Sequence, residues 1–390
     1  MLYSGAYDTF AVERIVYGPR SADTILAEVE RFQATRVFVL ASGTLRRMSE
    51  LVQRAETRLA DRCVGVYDSV PAHTPRDAVL DAASAARQAG ADLILTFGGG
   101  SVTDAGKLVR LALQHNIRRV DDFTPFVVRA NPDGTRTAPV YEGPTIPQIA
   151  IPTTLSGGEF NLSAGCTDSR SALKEIYRHK TLVPRTIILD PLVTAPTPQW
   201  LWLSTGVRAL DHAIETVCSS KADPRSYLDS LRAIELLSKA LPNTLRDPGD
   251  LGARMDAAIA VWSAMEHNRF AIPMGASHGI GHVLGGTCNV PHGYTSCVLL
   301  PAVLHYNAPV NEDRQALVSA AMGRPGVPAS QVVGEFITGL GMPRSLSAVG
   351  VGPEKYETIA RAALLDHYVY TNPRPLRTVA DVLEILHQVA

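Results

Sequence analysis

Five short aliphatic and β-branched runs recur through the first half of the chain and none follows them: RVFVLAS (36 to 42), CVGVYDS (63 to 69), ADLILTFGGG (91 to 100), PQIAIPTT (147 to 154) and TIILDP (186 to 191). Between the second and third lies TPRDAVLDAASAARQAG, where Ala, Val and Leu return at helical spacing after a Thr-Pro start. Strand, helix, strand at this rhythm predicts a mainly parallel sheet with helices on both faces, an architecture that binds ligands beyond the carboxyl ends of its strands. After residue 192 the periodicity is helical throughout, in WLWLSTGVRALDHAIETVCSS, SYLDSLRAIELLSKALPNTL, LGARMDAAIAVWSAMEHNRF and CVLLPAVLHYNAPV. The expected organisation is therefore an α/β domain over 1–192 and an all-helical domain over 193–390, joined near LDPLVTAPTPQ with two prolines in its second half. The stretch 118–144 is irregular, and NPDG within it signals a turn.

With 390 residues, each half is long enough for its own core. The 37 basic and 38 acidic residues leave no global field to attract nucleic acid or an anionic membrane, so small-molecule chemistry is the expectation. Cys63, Cys166, Cys218, Cys288 and Cys297 are odd in number, scattered and without a CxxC pair, which argues against a disulfide framework and for a reducing, cytoplasmic setting. The opening MLYSGAYDTFAVERIVYG has no apolar core of a signal peptide, and no apolar run reaches the length of a membrane span.

Two turns point to a phosphate. In ILTFGGGSVTDAGKLVRLAL a buried strand passes through three glycines and a serine into a helix, so backbone can approach an anion while the helix start offers free N–H donors. AIPTTLSGGEFN repeats the design with two threonines and a diglycine. Neither is the GxGxxG or the GxxxxGK[ST] pattern, and a tight turn without ligand is the plainer reading of either alone.

Three imidazoles crowd SHGIGHVLGGTCNVPH (277 to 292). His278 and His282 share a helical face, and Asn289-Val290-Pro291 is a turn that returns His292 toward it. His212, in ALDHAIE, is a fourth candidate. Such residues hold a metal, move protons or simply pack; three neutral imidazoles with a carboxylate would suit zinc or iron.

Taken together, GGGSVTDAGK, PTTLSGG, ALDHAIE and HGIGHVLGGTCNVPHG resemble, in order and spacing, the group III or iron-containing alcohol dehydrogenases, whose fold is shared with dehydroquinate synthase. AHTP (72 to 75), TTLSGG, HVLGG (282 to 286) and NPRP (372 to 375) are similar to the maleylacetate reductase branch, which reduces a dicarboxylate derived from aromatic degradation. The resemblance implies an NADH or NADPH cofactor, an active site in a cleft between the domains, and a homodimer or larger homo-oligomer. Matched residue by residue, it implies cofactor contacts from Ser42, Gly99, Gly100, Ser101, Asp104, Thr153, Thr154 and Lys174. It implies metal ligands at His212, His278 and His292, with iron or zinc as the ion, and places His282 near substrate and nicotinamide.

One position departs from that pattern. The family's metal-binding aspartate aligns with Arg208, four residues before His212, and a guanidinium repels a cation instead of ligating it. Arg208, with His282 and His278, is therefore expected in the catalytic set, its charge either polarising a carboxylate-bearing carbonyl substrate or gripping the carboxylate in a fork. The plainer alternative is a local ion pair with Asp211. The main expectation is a metal-independent reductase of an unsaturated oxo-acid. A metal-dependent alcohol or aldehyde oxidoreductase and a nucleotide-binding scaffold without chemistry are the competing readings. Gly279, Ile280 and Gly281 stand where bulkier or basic residues are common in the branch, which bears on the substrate. Ser42 stands where NAD-preferring relatives carry an aspartate, so NADPH is expected alongside NADH, with Arg46 and Arg47 close in sequence.

Overall fold

A computed structural model of the chain describes residues 12–19, 21–130, 136–170, 173–268 and 271–390. The NPDG turn and the first eleven residues of the opening stretch lie outside the described residues. Two compact units are present, one of Phe10–Asn131 with Arg136–Thr197, the other built on Pro198–Ala390.

The first unit is a six-stranded parallel sheet. Its strands are β1 (Arg14–Tyr17), β2 (Val37–Ala41), β3 (Cys63–Tyr67), β4 (Leu93–Gly98), β5 (Gln148–Pro152) and, beyond the hairpin β6 (Ser163–Asp168) and β7 (Leu173–Arg178), β8 (Thr186–Leu189). Their spatial order is β1-β8-β5-β4-β2-β3. The central runs are buried at every position and almost wholly apolar because both faces are covered, the exceptions being Thr96 and Gln148, whose Nε2 donates to Thr96 Oγ1. On β2 and β4, Phe38, Leu40 and Ile94 meet Val79, Ala82 and Leu108 on one side. Val37, Val39, Leu93 and Leu95 meet Ile25, Val52 and Leu59 on the other. In register, Leu95 pairs with both Val39 and Ile149, which brings the ends of β2, β4 and β5 level.

All five expected strands are present. β1 and the antiparallel β6–β7 hairpin add to them. The hairpin is pinned by a buried fork: Arg76 Nε and Nη2 each donate to Glu175 at 2.7 Å, and Tyr177 Oη donates to the same carboxylate.

The second unit is helical, with no strand among its described residues. Its core gathers Ile280 and Leu284 with Val298, Leu299, Tyr306, Ile359, Val369 and Ile385, so the helix Ala276–Cys288 is buried along one face. That helix ends where Asn289 takes φ 54°, a left-handed C-cap, and Pro291 starts the next helix, His292–Ala321. No helix of the described residues is long and apolar enough to cross a membrane.

Candidate functional site

The first group of expected residues lies at the carboxyl ends of the parallel strands. Gly99 caps the helix Gly100–Gln114, and a Cβ there would come within 3.0 Å of Thr154. The cradle is therefore kept open by the missing side chain. Ser101 belongs to the first helical turn, where its carbonyl accepts from Thr74 Oγ1 at 3.1 Å. Thr154 Oγ1 donates to Ser156 Oγ, and Thr153 N donates to the Gly98 carbonyl. Ser42 follows β2 and caps the short helix Gly43–Met48. Nearby, Arg46 is spent on Asp68 and Glu56, at 3.3 and 3.4 Å, whereas Arg47 is exposed.

Asp104 has a role the sequence did not show. Its Oδ2 accepts from Gly165 N and its Oδ1 from Lys107 Nζ, so it fixes the hairpin that carries Lys174. Lys107 is fully buried and also donates to the carbonyls of Gly158, Asn161 and Ser163, stapling the second diglycine turn to the cradle helix. Beside it, burial pushes the Glu159 carboxyl up to about 7 from the ordinary 4.5. The folded chain holds that proton at pH values where the unfolded chain has lost it. Its stabilising effect is thus complete below about 4.5 and lost as pH rises through about 7, a total of about 3 kcal/mol. Glu159→Gln is expected to remove this component of the pH slope. Urea midpoints followed by circular dichroism between about pH 5 and pH 8 check it.

The second group is built on the helix Gln199–Cys218. Arg208, Asp211, His212 and Glu215 fall at i, i+3, i+4 and i+7, a polar stripe on an otherwise apolar and largely buried helix. Glu215 is its anchor: Oε2 accepts from Gly275 N at 2.7 Å and Oε1 from Ser277 N at 2.9 Å, closing the start of the helix Ala276–Cys288. Glu215 Oε2 also lies 2.8 Å from His278 Nδ1, and His278 Nε2 faces His212 Nε2 at 3.3 Å. The chain of contacts ends at His212 Nδ1 and Met274 Sδ, 3.3 Å apart.

Arg208 is 2% exposed and presents no open fork. Its Nη1 donates to Ser296 Oγ at 3.0 Å and lies 3.6 Å from Asp211 Oδ2, which also accepts from Ser277 and Ser296 hydroxyls. The ion pair with Asp211 is thus formed. Arg208 Nε and Asp211 Oδ1 remain buried without a partner, so the pair is poorly compensated as a stabilising contact. Burial first, and the repulsion of Arg208 among the other causes, hold His212 and His278 well below the ordinary imidazole value. Burial also raises Asp211, and burial with Asp211 beside it brings Glu215 up to about 8. The same burial lowers the Arg208 guanidinium from its ordinary value, with Asp211 beside it acting in the opposite sense.

His282 differs from His278 in being 28% exposed, with Nδ1 2.9 Å from Asp366 Oδ2. Its ring is stacked over His292, centroids 6.2 Å apart, and Tyr368 flanks it at 5.7 Å. Asp366, Tyr368 and Glu215 were not singled out from sequence. Glu215 had a signal in the i, i+3, i+4, i+7 stripe; Asp366 had none, being 84 residues from its partner.

Two family models span nearly the whole chain: iron-containing alcohol dehydrogenase over residues 12–191, and the C-terminal part of the Fe-containing alcohol dehydrogenase family over 202–390. The chain belongs to the iron-containing alcohol dehydrogenase family and is an NAD(P)-dependent oxidoreductase, on the maleylacetate reductase-like side of that family. It is 30% identical to maleylacetate reductase 1 of Cupriavidus pinatubonensis, over 96% of this chain and 93% of the relative. It is 31% identical to the dehydrogenase FUM7 of Gibberella moniliformis, over 91% of each. Among solved structures, the maleylacetate reductase of a Rhizobium species superposes with TM-score 0.82 at 27% identity, covering 100% of this chain and 98% of that one.

Membership implies a nucleotide cofactor and a divalent metal. The cradle at Gly99 fits the former, since a Cβ would fill the approach to the helix start. The residues present do not fit the latter. His212 and His278 converge, but the acid's position holds a buried cation. Among the described residues, the one set bringing three ligand atoms within 4.8 Å is Asp211, Glu215 and His278. All three are buried and hydrogen-bonded, and Arg208 lies against Asp211, so a divalent ion there would meet repulsion and have no open coordination position.

Proposed function

We propose that this protein is a metal-independent NAD(P)H-dependent reductase of an unsaturated oxo-acid, of the maleylacetate type. The observation that carries the reading is Arg208: a permanent, buried cation on the helical turn before His212, in the position where the family carries an acid. A positive potential there favours an anionic substrate and charge developing on its carbonyl or enoate system. Bound reduced nicotinamide dinucleotide supplies the hydride. The turns at Gly99–Ser101 and Thr153–Thr154 hold its diphosphate, with Lys174 beside them, and Ser42 leaves room for a 2′-phosphate next to Arg47. His282, the more exposed imidazole, delivers the proton. His278 and His212 hold the buried network in register.

A second reading, a metal-dependent alcohol or aldehyde oxidoreductase, draws on the 3.3 Å convergence of His212 Nε2 and His278 Nε2 and on the orienting Glu215–His278 contact, which a metal site also uses. Chelation and elemental analysis separate the two. Full turnover of maleylacetate-like acceptors in metal-free protein is expected, with Arg208→Asp gaining a stoichiometric iron or zinc and losing reduction of the anionic acceptor. A wild-type enzyme that requires a bound ion overturns the proposal.

A further inference from the structure

The segment Asp366–Asn372 runs antiparallel along one face of the helix Ala276–Cys288 and touches it every three residues. At the helix start, Asn372 Oδ1 accepts from Ala276 N at 3.1 Å, and paired amide contacts with Asn307 hold Asn372 itself. One turn on, Val369 packs so closely that a Cβ on Gly279 would lie 2.9 Å from its side chain and 3.2 Å from its backbone nitrogen. Gly279 is therefore a close-approach glycine, not an opening for substrate. At the next turn, Asp366 Oδ2 meets His282 Nδ1 at 2.9 Å. The other oxygen, Oδ1, accepts from Tyr368 N at 2.9 Å and lies 3.7 Å from His367 Nδ1, so the carboxylate is held by its own segment while it addresses His282.

We infer that Asp366 is the positioning residue of the proton donor: it holds His282 as the Nδ1–H tautomer and so makes Nε2 the nitrogen that exchanges a proton with substrate. The inference rests on the role proposed for His282 above. A carboxylate only accepts, so the nitrogen facing it carries hydrogen. In turnover the proton leaves Nε2 of the imidazolium, and the neutral ring left behind is the tautomer that Asp366 favours. The segment keeps its other anchors at Asn372, Val369 and Thr371, whose Oγ1 donates to the Met274 carbonyl. Removing the charge alone is therefore compatible with folding.

Asp366→Asn is expected to lower kcat with a maleylacetate-like acceptor by about 10²- to 10⁴-fold, bounded by what the imidazole itself contributes, with the KM for NADPH unchanged. Asp366→Glu restores part of the loss. In a His282→Gln background, Asp366→Asn adds nothing, because both changes remove one function. Independently of turnover, ¹⁵N spectra of histidine-labelled protein should show the His282 ring, identified by its loss in His282→Gln, with hydrogen on Nδ1. An additive loss in the double variant, or a neutral His282 ring with hydrogen on Nε2 and none on Nδ1, overturns the inference. If no acceptor oxidises NAD(P)H, the proposed function fails, and the spectrum alone then decides the tautomer.

Discussion

Arg208→Met is expected to cost about 3–5 kcal/mol of stability, because it leaves Asp211 in a buried site without its counter-charge. Asp211 is fully buried and its Oδ1 already lacks a partner, so no solvent replaces the guanidinium. The sign with pH follows from the direction of its shift. The folded-state value of Asp211 lies above the unfolded one and rises further without Arg208. Stability of the variant is thus retained below the unfolded value near 3.9 and lost as pH climbs through the folded value, so the deficit against wild type is larger at alkaline than at acid pH. Arg208→Met with Asp211→Asn removes both charges together and should recover most of the stability while reduction of an anionic acceptor stays impaired. Trp200, Trp202 and Trp262 are the three tryptophans of the chain and all fall in the helical unit, so urea denaturation followed by tryptophan fluorescence reads this unit alone. A single variant as stable as wild type, or a double variant with full activity, would remove Arg208 from the account.

The sheet was legible because buried parallel strands read as nearly continuous apolar runs, and β2, β4 and β5 are buried at every residue. β1 was not, since RIVY is four residues long and charged at its start. The hairpin strands SAGCTD and LKEIYR carry glycine and charge in place of alternation; Arg76 and Asp104, distant in sequence, hold them. In the site, the i,i+4 histidines were legible because helical spacing alone places them together. Arg208 was legible as a departure from a family pattern, but its orientation was not: whether it met Asp211 or open space depended on Ser296, 88 residues away. Asp366 and Asn372 are the extreme case, because their partners are set by how a late segment lies on an earlier helix.

His282→Gln and His278→Gln are expected to separate, and the separation tests which imidazole does chemistry. His278 is 2% exposed, with one nitrogen against Glu215 and the other against His212. Replacing it disturbs a buried hydrogen-bonded set and should cost about 1–3 kcal/mol for each donor or acceptor left unmatched, with activity falling as the helix start loosens. His282 is on the same helical face but 28% exposed, and its environment is a carboxylate on one side and rings on the other. Its loss should leave the tryptophan-detected midpoint close to wild type while kcat drops about 10²- to 10⁴-fold and NADPH affinity holds. Because the proton is delivered only as hydride arrives, the defect belongs to the transition state, so kcat and kcat/KM for the acceptor fall together. An enzyme in which His278→Gln is folded and inert, and His282→Gln turns over normally, would reassign the proton to the buried ring and with it the direction from which substrate enters.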